Sequence, residues 1–215
     1  RLTAPPVPAQ SRKRPLQPHQ RLVGVVTSAG GVALRDVMRT ILRRDPAAHV
    51  IISPAQVQGR SSASSIVLAI DRLDALGRAE LIIVARGGGS LEDLWGFNEE
   101  IVARAVAAST IPLISAVGHE TDWTIIDLVA DYRAPTPTAA AERAVPVRAD
   151  LHIQVTGFGL RVVTRLRHLV ESRRDLLVAL ARGLPRRSEI LALPRQRFDG
   201  VSARLGRGVQ FPVER

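Results

Sequence analysis

The chain has 215 residues, of which 46% are hydrophobic and 3% aromatic, and it contains no cysteine. The lack of cysteine excludes disulfides, thiolate zinc sites and cysteine nucleophiles. No apolar run approaches the roughly 20 residues that span a bilayer, and the sequence does not begin with a signal-peptide pattern. We therefore expect a cytoplasmic protein with a substantial hydrophobic core.

Positive charge is concentrated towards the two ends of the chain. Residues 1–20 carry a net charge of +4, residues 21–145 carry −2, and residues 146–215 carry +8. Lys13 is the only lysine among 30 basic residues, so nearly every cation is a guanidinium, a group suited to forked contacts with phosphate. Because genome composition also produces arginine bias, charge alone does not assign a function.

The predicted elements alternate regularly after a proline-rich start. Residues 1–20 hold five prolines and no apolar periodicity, which predicts an extended basic linker. Apolar strands are predicted at 21–28, 49–57, 81–86 and 112–117. Amphipathic helices are predicted at 30–44, 64–76, 98–109 and 121–132. Gly77 would end the second helix, and Asn98 would be the N-cap of the third.

This alternation predicts an α/β domain over 21–145, with a mostly parallel sheet and helices on both faces. The proline-containing segment 133–146 would close it. Residues 146–215 have a narrow apolar stripe between arginine-rich faces, which predicts long α-helices in a coiled-coil or helical-hairpin arm. We expect a break at 182–187 and an interruption of the second long helix at Pro194.

The third predicted strand runs into Arg86 and three glycines. Glycines let the backbone approach a ligand and point several N–H groups into one concavity, and an adjacent guanidinium can bind phosphate in two contacts. The predicted phosphate-binding residues are Arg86, Gly87, Gly88, Gly89 and Ser90. The alternatives are a simple tight turn, and a salt bridge from Arg86 to Glu92 or Asp93.

The fourth predicted strand is followed by Gly-His-Glu-Thr-Asp, which places His119 and Asp122 three residues apart. Ligands of parallel sheets bind beyond the carboxyl ends of the strands, and an imidazole transfers protons near neutrality. The alternative makes His119 a hydrogen-bonded loop residue and Asp122 a first-turn acid that stabilises the helix dipole. From the residues alone, Asp36 is expected at the surface. Five further acids are expected to support the site or to close the domain by salt bridges: Glu92, Asp93, Glu120, Asp127 and Asp131.

Three segments together resemble the large subunit of exodeoxyribonuclease VII, a bacterial nuclease that acts on single-stranded DNA. They are 21–37 (RLVGVVTSAGGVALRDV), 86–100 (RGGGSLEDLWGFNEE) and 111–142 (IPLISAVGHETDWTIIDLVADYRAPTPTAAAE). The resemblance implies hydrolysis of phosphodiester bonds from either end of the strand, with release of short oligonucleotides. It implies four catalytic residues: Asp36, Arg86, His119 and Asp122.

The same resemblance implies a small subunit as partner, an N-terminal OB-type domain that this chain lacks, and a longer helical region of which only the beginning is present. It also leaves the role of two acids open. Within about 4 Å, a bare carboxylate and a phosphate repel by roughly 4 kcal/mol at an effective dielectric of 20. Asp36 and Asp122 would therefore either orient His119 or hold Mg²⁺.

Two other functions remain alternatives: a doubly wound enzyme that binds a small phosphate ligand, and a non-catalytic scaffold that binds nucleic acid. With aromatics so few, base stacking would be minor. Trp95, Phe97 and Trp123 are the candidates for stacking, and the hydrophobic core is an equal alternative for each.

Overall fold

The computed structural model of the chain describes residues 13–87, 91–118, 123–184 and 187–209, with side chains throughout these ranges except at 91–93, 187, 208 and 209. The chain divides into two compact units, Arg1–Gln154 and Val155–Arg215. The domain limits at residues 20 and 145 stay a prediction.

The described residues form five strands and seven α-helices. The strands are β1 (Leu22–Thr27), β2 (His49–Pro54), β3 (Leu81–Ala85), β4 (Leu113–Ala116) and β5 (Tyr132–Arg133). The helices are α1 (Val32–Arg44), α2 (Ser62–Leu76), α3 (Glu100–Ala108), α4 (Ile125–Val129), α5 (Pro137–Ala144), α6 (Arg148–Gly183) and α7 (Arg187–Val209). A 3₁₀ helix, Leu91–Asn98, lies between β3 and α3.

All five strands pair in parallel, in the order β2-β1-β3-β4-β5. The chain passes from β1 to β2 on one side and then returns to the other side of β1 to form β3. A reversal of this kind opens a crevice at the carboxyl ends of β1 and β3, where ligands bind in such sheets. The predicted α/β class is confirmed.

Two hydrophobic layers cover the two faces of the sheet. Side chains alternate along a strand, so Ile82 and Val84 of β3 pack towards α2, α3 and α4, whereas Leu81 and Ile83 pack towards α1 and α5. Every residue of β3 and β4 is buried, as expected for continuous apolar strands of a sheet covered on both faces. The predicted helices on both faces are confirmed.

Gly77 ends α2 as predicted. It adopts the left-handed conformation with φ of 60°, and its N–H donates to the carbonyls of Leu73 and Asp74. The predicted N-cap at Asn98 is wrong, because α3 begins at Glu100 with Glu99 as its N-cap. Asn98 Oδ1 instead accepts a hydrogen bond from the N–H of Ile125 at 2.8 Å, and so ties the 3₁₀ helix to α4.

The segment after β4 is more structured than predicted. The described part of the predicted helix 121–132 is the short α4, whose N-cap Thr124 forms a capping box with Asp127, and Tyr132 belongs to β5. The segment expected only to close the domain contains α5. Its start is determined by Thr136, whose hydroxyl oxygen accepts from the N–H of Ala139 at 3.0 Å, and by Pro137 in the first turn.

The end of the predicted linker packs against the α/β unit. Residues 13–20 contain no helix or strand. The Arg14 side chain donates to both carboxylate oxygens of Asp131, at 3.2 and 2.8 Å, and to the carbonyl of Ser109 at 2.6 Å. Asp131 also accepts from the N–H of Leu113 at 2.8 Å, so this acid closes the domain by a salt bridge, one of its two predicted roles.

The second unit consists of most of α6 together with α7. The predicted break at 182–187 is confirmed, since α6 ends at Gly183 and α7 begins at Arg187. The predicted interruption at Pro194 is wrong, because α7 continues through this proline. A proline removes one backbone hydrogen bond and kinks a helix without always ending it. None of the helices in the described ranges combines the length and hydropathy of a membrane span.

Candidate active site

Residues from five segments line one cavity at the carboxyl edge of the sheet. The cavity has a volume of about 280 Å³, and its lining includes Asp36 from α1, Arg86 and Gly87 after β3, and Gly118 after β4. We call it the Asp36 cavity. Its position at the strand ends is the one that parallel sheets generally use for ligands.

Asp36 reaches this cavity from the second turn of α1. Val32, Ala33 and Asp36 line it together, because residues three and four apart share one face of a helix. The helix begins directly after Gly31, where a Cβ would lie 2.3 Å from Ser28 Oγ, so a larger residue would have to displace the Ser28 side chain. Asp36 is half-buried and lines the cavity, and its catalytic role stays a prediction.

Arg86 places a positive charge in the cavity wall. Its backbone N–H donates to the carbonyl of Ala116 at 3.1 Å, which extends the β3–β4 pairing by one residue and fixes the backbone. The residue is only 5% exposed. A guanidinium keeps its charge in proteins and offers five N–H donors in a planar fork, so it can serve a bound anion while also contacting the protein.

Several predicted site residues lie outside the described part of the chain: Gly88, Gly89, Ser90, His119, Glu120 and Asp122. The backbone of Glu92 and Asp93 belongs to the 3₁₀ helix. Their side chains lie outside the described part of the chain. Gly87 and Gly118, the last described residues before two of these gaps, both line the Asp36 cavity. The catalytic and phosphate-binding roles stay predictions.

Asp127 supports the neighbouring β4–α4 connection from within the core. It is 1% exposed, and its carboxylate accepts from the Ser115 hydroxyl at 2.6 Å and from the N–H and hydroxyl of Thr124 at 3.0 and 2.7 Å. Arg133 Nε lies 3.8 Å from the same carboxylate. This network joins β4, α4 and β5, and so holds both ends of the segment that contains His119 and Asp122.

The start of α5 contributes cavity residues that were not predicted. Thr136 and Thr138 line the Asp36 cavity together with Pro135 and Pro137. Threonine followed by proline is a typical helix start, and this signal in the segment 135–138 would have placed a helix N-terminus here. The two hydroxyl groups add hydrogen-bonding groups to the lining of this cavity.

Two larger cavities lie in the same unit. One, of about 820 Å³, has Gln56, Ser61 and Ser65 in its lining and also Arg86 and Gly87; we call it the Gln56 cavity. The other, of about 540 Å³, is lined by residues that include Arg60, Trp95 and Glu99; we call it the Trp95 cavity.

The three candidate stacking residues differ in exposure. Phe97 is 0% exposed and belongs to the core. Trp95 is 71% exposed and Trp123 is 60% exposed. The guanidinium of Arg133 lies 4.2 Å from the centre of the Trp123 ring and covers one of its faces. Exposure therefore leaves both tryptophans available for stacking and excludes Phe97.

Among the described residues, no group of three or more His, Cys, Asp or Glu side chains is placed to hold a metal ion. Within the described lining of the Asp36 cavity, Asp36 contributes the carboxylate and Arg86 the cation. The chemistry that this arrangement offers is anion binding beside a single acid.

A family model described as exonuclease VII, large subunit, matches residues 8–215. The chain belongs to this family. Over 207 residues it is 53% identical to the exodeoxyribonuclease 7 large subunit of Sinorhizobium fredii, which covers 94% of the chain and 39% of that protein. The corresponding proteins of Chelativorans sp. and Bartonella tribocorum are each 50% identical, over 96% and 93% of the chain and 41% and 43% of their own lengths. The chain thus spans about 40% of the length of these relatives.

Membership of the exonuclease VII large subunit family confirms the resemblance inferred from three segments between residues 21 and 142. The match is broader than those segments, since it begins in the basic linker and includes both long helices. The family model therefore covers the arginine-rich helices as well as the α/β unit.

Proposed function

We propose that this chain contains the catalytic centre of an exonuclease VII large subunit, and that this centre hydrolyses phosphodiester bonds of single-stranded DNA from either end of the strand. The strongest support for this proposal is the lining of the Asp36 cavity. Asp36, the adjacent Arg86 and Gly87, and Gly118 come from distant parts of the sequence, yet they line a single cavity at the ligand-binding edge of a parallel sheet.

Arg86 has the main electrostatic role in this proposal. Charge builds up on the non-bridging oxygens of the phosphate in the transition state, and a donor held in place before the reaction stabilises that charge without reorganisation. The buried position of Arg86 lowers the local dielectric and strengthens its interaction with the phosphate. The N–H groups of Gly87, Gly88 and Gly89 would add further donors.

His119 would transfer a proton, either from the attacking water or to the leaving oxygen. Water attacks phosphorus, the bond to the leaving oxygen breaks, and a proton passes from the water to a base while the leaving oxygen receives one. An imidazole suits either transfer near neutrality. Asp36 and Asp122 would orient that ring, which keeps their negative charges from facing the phosphate directly.

Mg²⁺ is the alternative for the two acids. If it is bound, Asp36 and Asp122 would supply oxygen ligands, and the ion would neutralise phosphate charge. The described lining of the cavity offers the Asp36 carboxylate beside the Arg86 guanidinium, which already provides a cation. This arrangement favours the orienting role for the acids.

Removal of divalent cations tests that preference. We expect cleavage of labelled single-stranded DNA to continue in EDTA within about tenfold of its rate, because Arg86 supplies the charge stabilisation. Loss of cleavage in EDTA that Mg²⁺ restores would assign Asp36 to a metal site instead.

The small subunit is the proposed partner. Large apolar side chains of α6 and α7, such as Leu166 and Phe198, are 56% and 71% exposed. Exposed apolar stripes at helical spacing are typical of helices that pair with others, so these helices are the proposed docking region. A cytoplasmic location stays a prediction.

The two alternative functions are less well supported. The Gln56 cavity adjoins the Asp36 cavity through Arg86 and Gly87, so the site extends well beyond the space that one phosphate fills. A polymeric substrate accounts for that extension. A non-catalytic scaffold would not require a half-buried acid and a buried arginine in one cavity.

Substitution of Arg86 tests the proposed function. In the complete large subunit assembled with its small subunit, Arg86→Lys is expected to slow cleavage by about 100-fold or more, because lysine cannot reproduce the forked contact. The thermal unfolding midpoint should stay near that of the unsubstituted protein. Arg72→Lys, at an exposed position of α2, is the matched control. Equal rates for the two variants would contradict the proposal.

A further inference from the structure

The three cavities of the α/β unit adjoin one another. The Asp36 and Gln56 cavities share Val32, Arg86 and Gly87 in their walls, and the Gln56 and Trp95 cavities share Gly59. A continuous run of concave surface therefore extends from the proposed position of the scissile phosphate past Gln56 to Trp95. Together the three cavities enclose more space than a single phosphate would fill.

The Gln56 cavity has the chemistry of a nucleoside site. It lies at the carboxyl ends of β1, β2 and β3, beside the switch point of the sheet, and its lining includes Ser28 after β1, Gln56 after β2 and Arg86 after β3. Its polar lining consists mainly of hydroxyl and amide groups, and none of the described residues that line it carries a carboxylate. Its volume of about 820 Å³ is within the usual range for ligand sites, about 300–1,000 Å³.

The polar groups of this cavity are held in place by their own hydrogen bonds. The Ser61 hydroxyl donates to Gln56 Oε1, and the Gln56 backbone N–H donates to the Ser65 hydroxyl at 2.8 Å. The first contact orients the Gln56 amide, whose NH₂ group is a hydrogen-bond donor. Oriented uncharged donors and acceptors suit a sugar or a base better than a phosphate.

Trp95 is fixed at the far end of this run by close packing of the 3₁₀ helix on α2. A Cβ at Gly96 would lie 2.0 Å from Ser62 Oγ, so glycine is required for the contact. The adjacent Trp95 ring is 71% exposed although its backbone is anchored. Arg60 and Glu99 line the same cavity, so one cation and one acid share its wall with Trp95.

We propose that these cavities form a track for the nucleotides next to the scissile phosphate, with a nucleoside in the Gln56 cavity and the following base stacked on Trp95. Arg60 would contact the phosphate between those nucleotides. The inference rests on the proposed function, because the Asp36 cavity defines where the track begins. Stacking on an exposed aromatic ring tolerates any base, which suits a strand read without sequence preference.

Trp123 provides an internal comparison. It is nearly as exposed as Trp95, but Arg133 covers one face of its ring. It is also not among the described residues that line the three cavities. The track therefore assigns stacking to one tryptophan and not to the other.

The first test uses the 215-residue chain, which contains two tryptophans. In a Trp123→Phe variant Trp95 is the sole tryptophan, so its fluorescence reports on its own surroundings. Titration with oligothymidylates is expected to quench this emission in a saturable way, whereas thymidine monophosphate bound in the Asp36 cavity, whose described lining does not include Trp95, should leave it unchanged. Absence of quenching by the longer oligomers at saturating binding would overturn the track.

The second test measures affinity for the same oligomers by anisotropy of a labelled strand, in an Asp36→Asn background to prevent cleavage. Trp95→Ala is expected to raise Kd by about 5- to 150-fold, with Trp95→Phe restoring most of the affinity. Gln56→Ala should raise it by about 2- to 10-fold. Trp123→Ala, the matched control, should change it less than Trp95→Ala does.

Failure of the track and failure of the proposed function give different results. If Trp95→Ala leaves Kd unchanged while Arg86→Lys still blocks cleavage, the track is wrong and the catalytic centre stands. Equal losses for Trp95→Ala and Trp123→Ala also overturn the track. If Trp95→Ala weakens binding and Arg86→Lys leaves cleavage intact, the track is supported and the catalytic centre must lie elsewhere.

Discussion

The α/β unit and the two long helices use the same apolar residue types in opposite ways. In β3 and β4 every side chain is buried, whereas α6 contains no buried residue among those the structure describes. The strands bury both faces because helices cover the sheet on each side. The large apolar side chains of the two long helices are exposed, because no described element of this chain covers them. Stability is therefore expected to come from the first region, and assembly from the second.

The polar residues follow the same division. In the α/β unit, charged groups such as Arg86 and Asp127 are buried at defined positions beside the proposed site. In the long helices, arginines such as Arg165 and Arg173 are exposed. Buried charges can act through fixed geometry, while exposed charges act through the summed field on a nucleic-acid backbone.

A pair of alanine substitutions tests the difference in burial and should give the largest effect. Ile83→Ala in β3 is expected to lower the free energy of unfolding by about 2–5 kcal/mol, through lost burial and a residual cavity. Leu166→Ala in α6 should lower it by less than about 0.5 kcal/mol, because the side chain is already 56% exposed. Urea unfolding of the isolated chain measures both.

The comparison would fail if Leu166→Ala destabilised the isolated chain as much as Ile83→Ala does. It would be sharpened if Leu166→Ala became costly only after addition of the small subunit, because the partner would then supply the missing burial.

A smaller effect is expected for the exposed charges. If α6 follows the strand, Arg165→Gln should reduce the slope of log K against log salt for a single-stranded oligonucleotide by about 0.7, the contribution of one phosphate contact. Arg72→Gln on α2 is the matched control, since it removes an exposed arginine away from the described linings of the three cavities. An unchanged slope for Arg165→Gln would mean that this position does not contact the strand.

Much of the fold could be predicted because the strongest signals are local. Continuous apolar runs located β1 to β4, and Gly77 marked a helix end through its backbone conformation. β5 has only two residues, too few for any periodic pattern. The helix α5 is short and rich in alanine, so its stability comes from packing on α1 and not from a visible amphipathic stripe.

Two other errors concern residues whose local preference did not decide the outcome. Asn98 is a good N-cap type, but its side chain bonds to the N–H of Ile125 in another helix. Pro194 is unfavourable inside a helix, yet the surrounding turns of α7 continue through it. Neither outcome is visible in a window of a few residues.

The site was partly predictable for a different reason. Strand ends of a parallel sheet meet at one edge, so Arg86 and the residues after β4 could be grouped from the strand order alone. Asp36 is on a helix, and only the family resemblance assigned it to the site. The run of cavities from Gln56 to Trp95 depends on packing between the 3₁₀ helix and α2. No sequence motif predicts that packing.

The proposed joint action of Asp36 and His119 is tested most directly by a double-mutant cycle. Cleavage rates of end-labelled single-stranded DNA would be measured for Asp36→Asn, His119→Ala and the double variant of the complete large subunit with its small subunit. Groups that act as one catalytic unit are strongly non-additive. We predict that each single change slows cleavage by at least about 100-fold and that the double variant is no slower than the worse single one. Losses that multiply in the double variant would contradict a shared centre.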